Sequence, residues 1–168
     1  FGPSVHSLQG QKIAVICGRD SGGWHEWLSS MLCARGLSIL DTTAQEHDSA
    51  MGIVQVLTHQ TTEVLGRTIQ KLNVDVHRTL EFTSPIYLME LLMTARHFAQ
   101  SSELYASIQM NNPETTRVFD ALQQAGSELR TIVLDKDRES FDALFAEVHE
   151  HFGNFSEQAL EQSSFLID

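Results

Sequence analysis

The sequence predicts a mainly α-helical protein, in which a helical domain follows a short strand–helix–strand segment. Convincing strand signals occur only near the amino terminus, and apolar residues at helical spacing fill most of the remainder. A capping-box pattern that begins at Thr43 marks the change between the two. We therefore divide the chain into residues 1–43, a βαβ segment, and residues 44–168, an all-helical domain.

The first segment predicts two parallel strands joined by a helix. Residues 12–17, Lys-Ile-Ala-Val-Ile-Cys, indicate one buried strand, and residues 37–40 indicate a second. Between them, apolar residues recur at helical spacing from Trp24 to Gly36, where a left-handed glycine ends the helix. Because a strand, a helix and a strand of this length form one crossover unit, the two strands should be parallel. Trp24 and Trp27 are interpreted as core residues.

The remaining chain predicts five helices. We place them at residues 44–72, 85–100, 102–110, 113–134 and 138–160. Pro85 and Pro113 stand where the first turn of a helix tolerates proline. The segment 74–77, Val-Asp-Val-His, is ambiguous between helix and strand.

Composition excludes several classes of function. The chain has 11 Lys and Arg against 22 Asp and Glu, a formal net charge of −11, and no basic patch, so we expect no nucleic acid partner. No apolar run is long enough for a membrane span. Cys17 and Cys33 suit neither a disulfide framework nor a zinc pair, which indicates a cytoplasmic location. No metal is expected either, because His47 and His59 lie on different sides of one predicted helix.

Arg96 is the most informative single residue. At about 100° per residue, three polar side chains share one stripe of its helix: Glu90, Thr94 and His97. Arg96 falls about 130° from that stripe, beside three apolar side chains: Met89, Leu92 and Met93. We therefore expect its guanidinium to project into an apolar wall, where it needs an anionic partner. That partner is either an internal Asp or Glu, which composition favours, or the carboxylate of a ligand.

The helix that starts after Thr43 carries a second candidate surface. Five residues fall within a sector of about 60° on the same projection: Asp48, Gln55, His59, Thr62 and Gly66. One interpretation is the solvent face of an amphipathic helix. The other is one wall of a cleft, in which His59 and Gln55 donate hydrogen bonds and Gly66 permits close approach of another backbone.

Five sequence elements, in this order, resemble the C-terminal half of the prephenate dehydrogenase family. They are Phe1-Gly2-Pro3, Gly18-Arg19, the segment from His47-Asp48 through Met51, Gln55 and Leu57 to His59, Thr83-Ser84-Pro85-Ile86-Tyr87, and the segment from Arg96 through Phe98-Ala99-Gln100 and Leu104 to Tyr105. The resemblance runs essentially from end to end of the chain.

The resemblance implies a Rossmann domain joined to a helical domain that mediates homodimerisation and helps to build the active-site cleft. It also implies oxidative decarboxylation of prephenate to 4-hydroxyphenylpyruvate with NAD or NADP, a step of tyrosine biosynthesis. The family's catalytic histidine belongs to a His-Pro-Met-Phe-Gly-Pro segment, of which this chain has only Phe-Gly-Pro. We therefore expect no catalytic residue in this chain, which should be inactive alone, and we expect the nucleotide to bind mainly to the other half of the protein.

The resemblance also assigns substrate-side residues. Arg96 matches the family arginine that grips a carboxylate of prephenate, which favours a ligand as its partner. The expected substrate-binding residues are Arg96, His59, His47, Gln100, Tyr105 and Gln55. Leu88 stands where some members have a second arginine, so a preference for prephenate, arogenate or an amino-deoxy analogue stays open, as does inhibition by tyrosine.

A second hypothesis is a free-standing dimeric regulatory module that binds an aromatic carboxylate such as tyrosine. Catalysis by the longer protein distinguishes the two hypotheses. The sequence leaves open NAD against NADP and fusion to a chorismate mutase segment.

Overall fold

A computed structural model describes residues 5–19 and 22–167. The Phe1-Gly2-Pro3 element and residues 20 and 21 of the first turn lie outside the described residues. In chain order the elements are β1 (Lys12–Val15), α1 (Trp24–Cys33), β2 (Ser38–Asp41), α2 (Ala44–Met51), a π-helical segment (Gly52–Leu57), α3 (Thr58–Lys71), α4 (Val76–Thr79), a 3₁₀ turn (Leu80–Phe82), α5 (Pro85–Phe98), α6 (Ser102–Asn111), α7 (Thr115–Asp135), α8 (Arg138–Phe152) and α9 (Asn154–Ile167). The mainly helical fold class is confirmed, while the domain boundary after residue 43 stays a prediction.

The amino-terminal segment is the expected parallel βαβ unit. β1 and β2 pair in parallel, with Ile13 opposite Ile39. Gly36 ends the helical turn after α1 with a φ of 85°, a left-handed conformation that glycine adopts without steric cost. A hydrogen bond of 2.8 Å between His25 Nε2 and Asp41 Oδ1 ties α1 to the end of β2.

The expectation that Trp24 and Trp27 form core is wrong for this chain. Their side chains are 62% and 56% exposed, and the two rings pack edge to face with centroids 5.5 Å apart. Two short strands offer α1 too little surface to cover both indoles. Leu37 is the buried apolar residue in the described part of this segment.

The predicted helix over residues 44–72 forms, but not as one regular α-helix. Thr43 and Glu46 cap its start reciprocally, because the Glu46 N–H donates to Thr43 Oγ1 at 3.1 Å and the Thr43 N–H donates to Glu46 Oε2 at 3.0 Å. Six residues between α2 and α3 then widen into the π-helical segment. Gly52, at its start, is buried where a side chain would collide with Glu114. The widened turn changes the angular relation between α2 and α3 that a straight helix would give.

The later helices follow the predicted positions closely. The ambiguous residues 74–77 contribute to the short helix α4, and Pro85 is the first residue of α5 behind the Ser84 cap. The single helix predicted over residues 138–160 is wrong, because Gly153 breaks it into α8 and α9 with φ 53° and ψ −138°. That conformation lies outside the α-helical region.

The core of the described chain is small. Its buried apolar residues are Leu37, Val56, Leu91 and Val118, and its buried polar residues are Gln60, Thr94, His97 and Gln109. Gly66 of α3 lets the ring of Phe98 from α5 pack where a Cβ would stand. The expected close approach at Gly66 is therefore made by an aromatic side chain. Within the described ranges, no helix has the length and apolar character needed to cross a membrane.

Candidate functional site

Three helices bring a cluster of polar and aromatic side chains together. α3 supplies His59 and Glu63, α5 supplies His97, and α6 supplies Tyr105 and Gln109. His59 and Glu63 are four residues apart on a helix, so their side chains share one face. We call these five residues the three-helix cluster.

Glu63 accepts hydrogen bonds from both other helices at one oxygen. His97 Nε2 lies 3.1 Å from Glu63 Oε1, and Gln109 Nε2 donates to the same oxygen at 2.8 Å. A carboxylate only accepts, so His97 is the donor of its bond. The His97 and Gln109 residues are each 8% exposed, whereas the Glu63 side chain is 33% exposed. The two nearly buried polar side chains are thus satisfied by a carboxylate that still reaches solvent.

Three rings of the cluster are in mutual contact. The His97 and Tyr105 rings stack with centroids 3.8 Å apart and an interplanar angle of 28°. His59 meets the Tyr105 ring edge to face at 4.8 Å and lies 5.3 Å from the His97 ring. Such contacts fix the orientation of each ring.

The environment of His59 favours its neutral form. Partial burial lowers the pKa of His59 below its ordinary value, the neighbouring His97 lowers it further, and Glu63 opposes both effects. His59 is therefore mostly uncharged at neutral pH. A neutral imidazole offers a bound molecule one hydrogen-bond donor and one acceptor.

A pocket of about 400 Å³ adjoins the three-helix cluster. Its polar lining includes Glu63, His97, Gln100, Tyr105 and Gln109. Phe98, Met110 and Phe119 contribute to its apolar walls. Small-molecule sites commonly have about 300–1,000 Å³ and combine apolar walls with a few polar groups, as this pocket does.

The sequence-predicted residues are only partly brought together. Gln100 and Tyr105 line the pocket, and His59 contacts Tyr105. His47 is half-buried and lies beside its own neighbour, with Nδ1 3.2 Å from Asp48 Oδ1. Gln55 is half-buried in the π-helical segment. His47, Gln55, His59 and Arg96 do not line the pocket, and the binding roles of all six predicted residues stay predictions.

The expectation that Arg96 projects into a covered apolar wall is wrong for this chain. Arg96 is exposed, and so are the three apolar side chains predicted beside it, with Met89 44%, Leu92 58% and Met93 61% exposed. α5 instead buries Leu91, Thr94 and His97, two of which belong to the predicted polar stripe. Arg96 does lie on the side of α5 away from the polar stripe, as predicted. The polar side faces α3, however, where Glu63 accepts a hydrogen bond from His97. The apolar side is left uncovered.

Sequence reasoning missed Glu63, Gln109 and the site role of His97. The i, i+4 spacing of His59 and Glu63 was the available signal for Glu63. His97 and Gln109 gave no comparable signal, because their partner Glu63 is 34 and 46 residues away in the sequence. In the described part of the chain, no three His, Cys, Asp or Glu side chains are grouped so that they could hold a metal ion.

The fold is a mainly helical one in which a candidate small-molecule pocket lies among helices that follow a βαβ unit. Residues 43–147 match the family model described as "Prephenate dehydrogenase, dimerization domain". The chain therefore belongs to the prephenate dehydrogenase family, as the sequence resemblance predicted.

Curated relatives give the same result. The chain is 36% identical over 167 residues to a T-protein of Haemophilus influenzae, and this match covers 99% of the chain and 44% of the relative. It is 35% identical over 157 residues to a probable arogenate/prephenate dehydrogenase of Methanocaldococcus jannaschii, a match that covers 92% of this chain and 35% of the relative. It is 30% identical over 148 residues to a 4-amino-4-deoxyprephenate dehydrogenase of Streptomyces pristinaespiralis, a match that covers 88% of this chain and 49% of the relative. The chain thus spans less than half of the length of each of these three relatives.

Proposed function

We propose that this chain is the dimerisation and substrate-cleft half of a cytoplasmic, NAD(P)-dependent dehydrogenase of tyrosine biosynthesis. The reaction is oxidative decarboxylation of prephenate to 4-hydroxyphenylpyruvate, or the equivalent reaction of a related cyclohexadienyl acid. The observation that carries the proposal is the contact between His59 and Tyr105, whose centroids are 4.8 Å apart. The resemblance assigns both residues to the substrate side of the cleft; they come from different helices, and Tyr105 lines the pocket.

In this proposal the pocket wall binds and orients the substrate ring. Tyr105 and Phe119 present apolar faces, and Gln100 presents a hydrogen-bonding group. The neutral His59, in contact with Tyr105, offers a further donor and acceptor beside the pocket. Arg96 lies outside the pocket lining, and its proposed contact with a substrate carboxylate, through the guanidinium fork, rests on the resemblance. Proton abstraction and hydride transfer belong to groups outside this chain.

The proposal also includes a homodimer, which the name of the matched family model supports. The outward face of α5 carries Met89, Leu92 and Met93, all substantially exposed, on the side of Arg96. A second copy that covers this face removes apolar surface from water and places Arg96 in the apolar setting expected from the sequence. Sedimentation should therefore show a dimer at micromolar concentration, and a stable monomer would contradict this part of the proposal.

The residues present here do not fit a complete dinucleotide site. The sequence contains no Gly-x-Gly-x-x-Gly motif, and the described strands are limited to the parallel pair β1 and β2. NAD(P) binding is therefore proposed for the part of the longer protein outside this chain. When bound, the nucleotide supplies the hydride acceptor.

Steady-state kinetics of the longer protein test the proposal. Reduction of NAD+ or NADP+ with prephenate is followed by absorbance, in the wild type and in Arg96→Gln. We expect KM for prephenate to rise about thirtyfold or more in Arg96→Gln, since a guanidinium–carboxylate contact is lost. Arg130→Gln is the matched control, because Arg130 is exposed like Arg96 but lies on α7, and the resemblance assigns it no substrate contact.

The two ways of failing differ. If the longer protein reduces neither nucleotide with prephenate, arogenate or the amino-deoxy analogue, the dehydrogenase assignment is wrong. If it does so and Arg96→Gln behaves like Arg130→Gln, the activity stands and Arg96 is removed from the site. Addition of tyrosine to the same assay tests it as an inhibitor.

A further inference from the structure

Glu63 and His97 form a pair inside the three-helix cluster that the family resemblance does not assign to the substrate. Both residues line the pocket, and both also contact groups behind its surface. The His97 residue is 8% exposed, and the one hydrogen bond of its imidazole to the described residues is the bond to Glu63. Without that acceptor, the imidazole N–H would be buried without a partner.

Glu63 is held in place from the opposite side by Gln109. The two donors approach the same oxygen, Oε1, from α5 and from α6. Gln109 is itself nearly buried, and the Thr115 hydroxyl donates to its backbone carbonyl. The carboxylate is therefore fixed between two helices, and it fixes the plane of the His97 ring.

The orientation of His97 passes directly to the pocket wall. Its ring stacks on Tyr105 at 3.8 Å, and Tyr105 meets His59 at 4.8 Å. Each ring in this series restricts the rotation of the next, since stacked and edge-to-face pairs have preferred geometries. Neither Glu63 nor His97 needs to touch the substrate for this effect.

We infer that Glu63 and His97 are positioning residues, which hold the rings of Tyr105 and His59 at the wall of the candidate site. The kinetic form of this inference rests on the proposed function. Ordering the wall before the substrate arrives reduces the entropy cost of binding. Loss of the pair should therefore raise KM and leave kcat nearly unchanged, because neither residue reacts.

Two substitutions of Glu63 separate positioning from packing. Glu63→Gln keeps an oxygen that accepts from His97 and Gln109, whereas Glu63→Leu has a similar size and accepts nothing. We expect Glu63→Leu to raise KM for prephenate about tenfold in the longer protein, with kcat within about twofold. Glu63→Gln should stay within about threefold of the wild-type KM. A purely packing role predicts that Glu63→Leu is no worse than Glu63→Gln, and that result would overturn the inference.

A double substitution tests whether the two residues act through each other. His97→Leu alone should raise KM about as much as Glu63→Leu, and the double variant should raise it no further. Multiplied effects would mean that the residues act independently, which contradicts the inference. Where Glu63→Leu does not fold, as judged by circular dichroism, the ratio of KM between His97→Leu and wild type decides, and a ratio near one overturns the inference.

A measurement on the 168-residue chain needs no activity. Stacking on Tyr105 should shift the ring protons of His97 upfield in the NMR spectrum of the wild-type chain. We expect this shift to persist in Glu63→Gln and to be largely lost in Glu63→Leu. Retention of the full shift in folded Glu63→Leu refutes the positioning role, whatever the protein catalyses. If the NMR shifts behave as expected but the longer protein does not turn over the substrate, the proposed function is refuted and the positioning role stands.

Discussion

Substitution of Gly52 by alanine should destabilise the chain, although alanine is the better helix former. Gly52 is buried at the start of the π-helical segment, and a Cβ there would lie 2.8 Å from the Glu114 Cβ and 3.2 Å from its Cγ. Glu114 cannot withdraw easily, because its N–H donates to Asn112 Oδ1 at 2.8 Å. Asn112 in turn donates to the Asp48 carbonyl of α2 at 3.0 Å.

The magnitude follows from two opposing effects. Carbon atoms in contact are normally about 3.5–4.0 Å apart, so the start of α7 must move by roughly 1 Å. Overpacking of this kind costs about 1–3 kcal/mol, and the gain in helix propensity offsets about 1 kcal/mol. We expect Gly52→Ala to lose about 1 kcal/mol of the free energy of unfolding, which lowers Tm by about 2–4 °C.

Gly126→Ala is the matched control. Gly126 also lies inside a helix, α7, but a Cβ there would meet nothing within 4 Å. This variant should gain about 0.5–1 kcal/mol from propensity alone. Urea unfolding at one fixed protein concentration gives both values, and their difference isolates the overpacking cost, about 1–3 kcal/mol. Equal stabilities of the two variants would refute the close packing described at Gly52.

Three other consequences of the structure are testable. Glu63 and His97 act on the pKa of His59 in opposite directions. In NMR titrations of the chain, Glu63→Gln should therefore lower the pKa of His59 further, and His97→Leu should raise it. Shifts of the same sign in both variants would contradict the cluster geometry. Folding lowers the pKa of His59, so the contribution of His59 to stability should be complete above about pH 6.5 and decline as the pH falls below it. A rise in Tm on acidification through that range would contradict this prediction. Thr43→Ala removes the acceptor for the Glu46 N–H and should lower the free energy of unfolding in urea by about 1 kcal/mol, while Thr43→Ser should lower it little. Equal losses of stability in the two variants would argue against a capping role.

Local sequence chemistry predicted the element boundaries well. The Thr43 and Glu46 capping box, the left-handed Gly36 and Pro85 at the start of α5 each depend on a few neighbouring residues. Such features are readable without knowledge of the tertiary fold. Gly153 was the exception, since an isolated glycine in a helical pattern does not by itself announce a break.

The tertiary relations were less accessible. The π-helical segment begins where Gly52 packs against Glu114, a contact between residues far apart in the sequence. The orientation of α5 was inverted because burial was assigned by polarity, whereas His97 is buried as a partner of Glu63. Part of the candidate site was nevertheless found, since the resemblance named Tyr105 before its neighbours were known.

The most direct test of the account is the position of prephenate in crystals of the longer protein, prepared without nucleotide so that no turnover occurs. The account predicts the substrate ring in the pocket between α3, α5 and α6, in contact with Tyr105. Prephenate bound elsewhere, with that pocket empty, would contradict it.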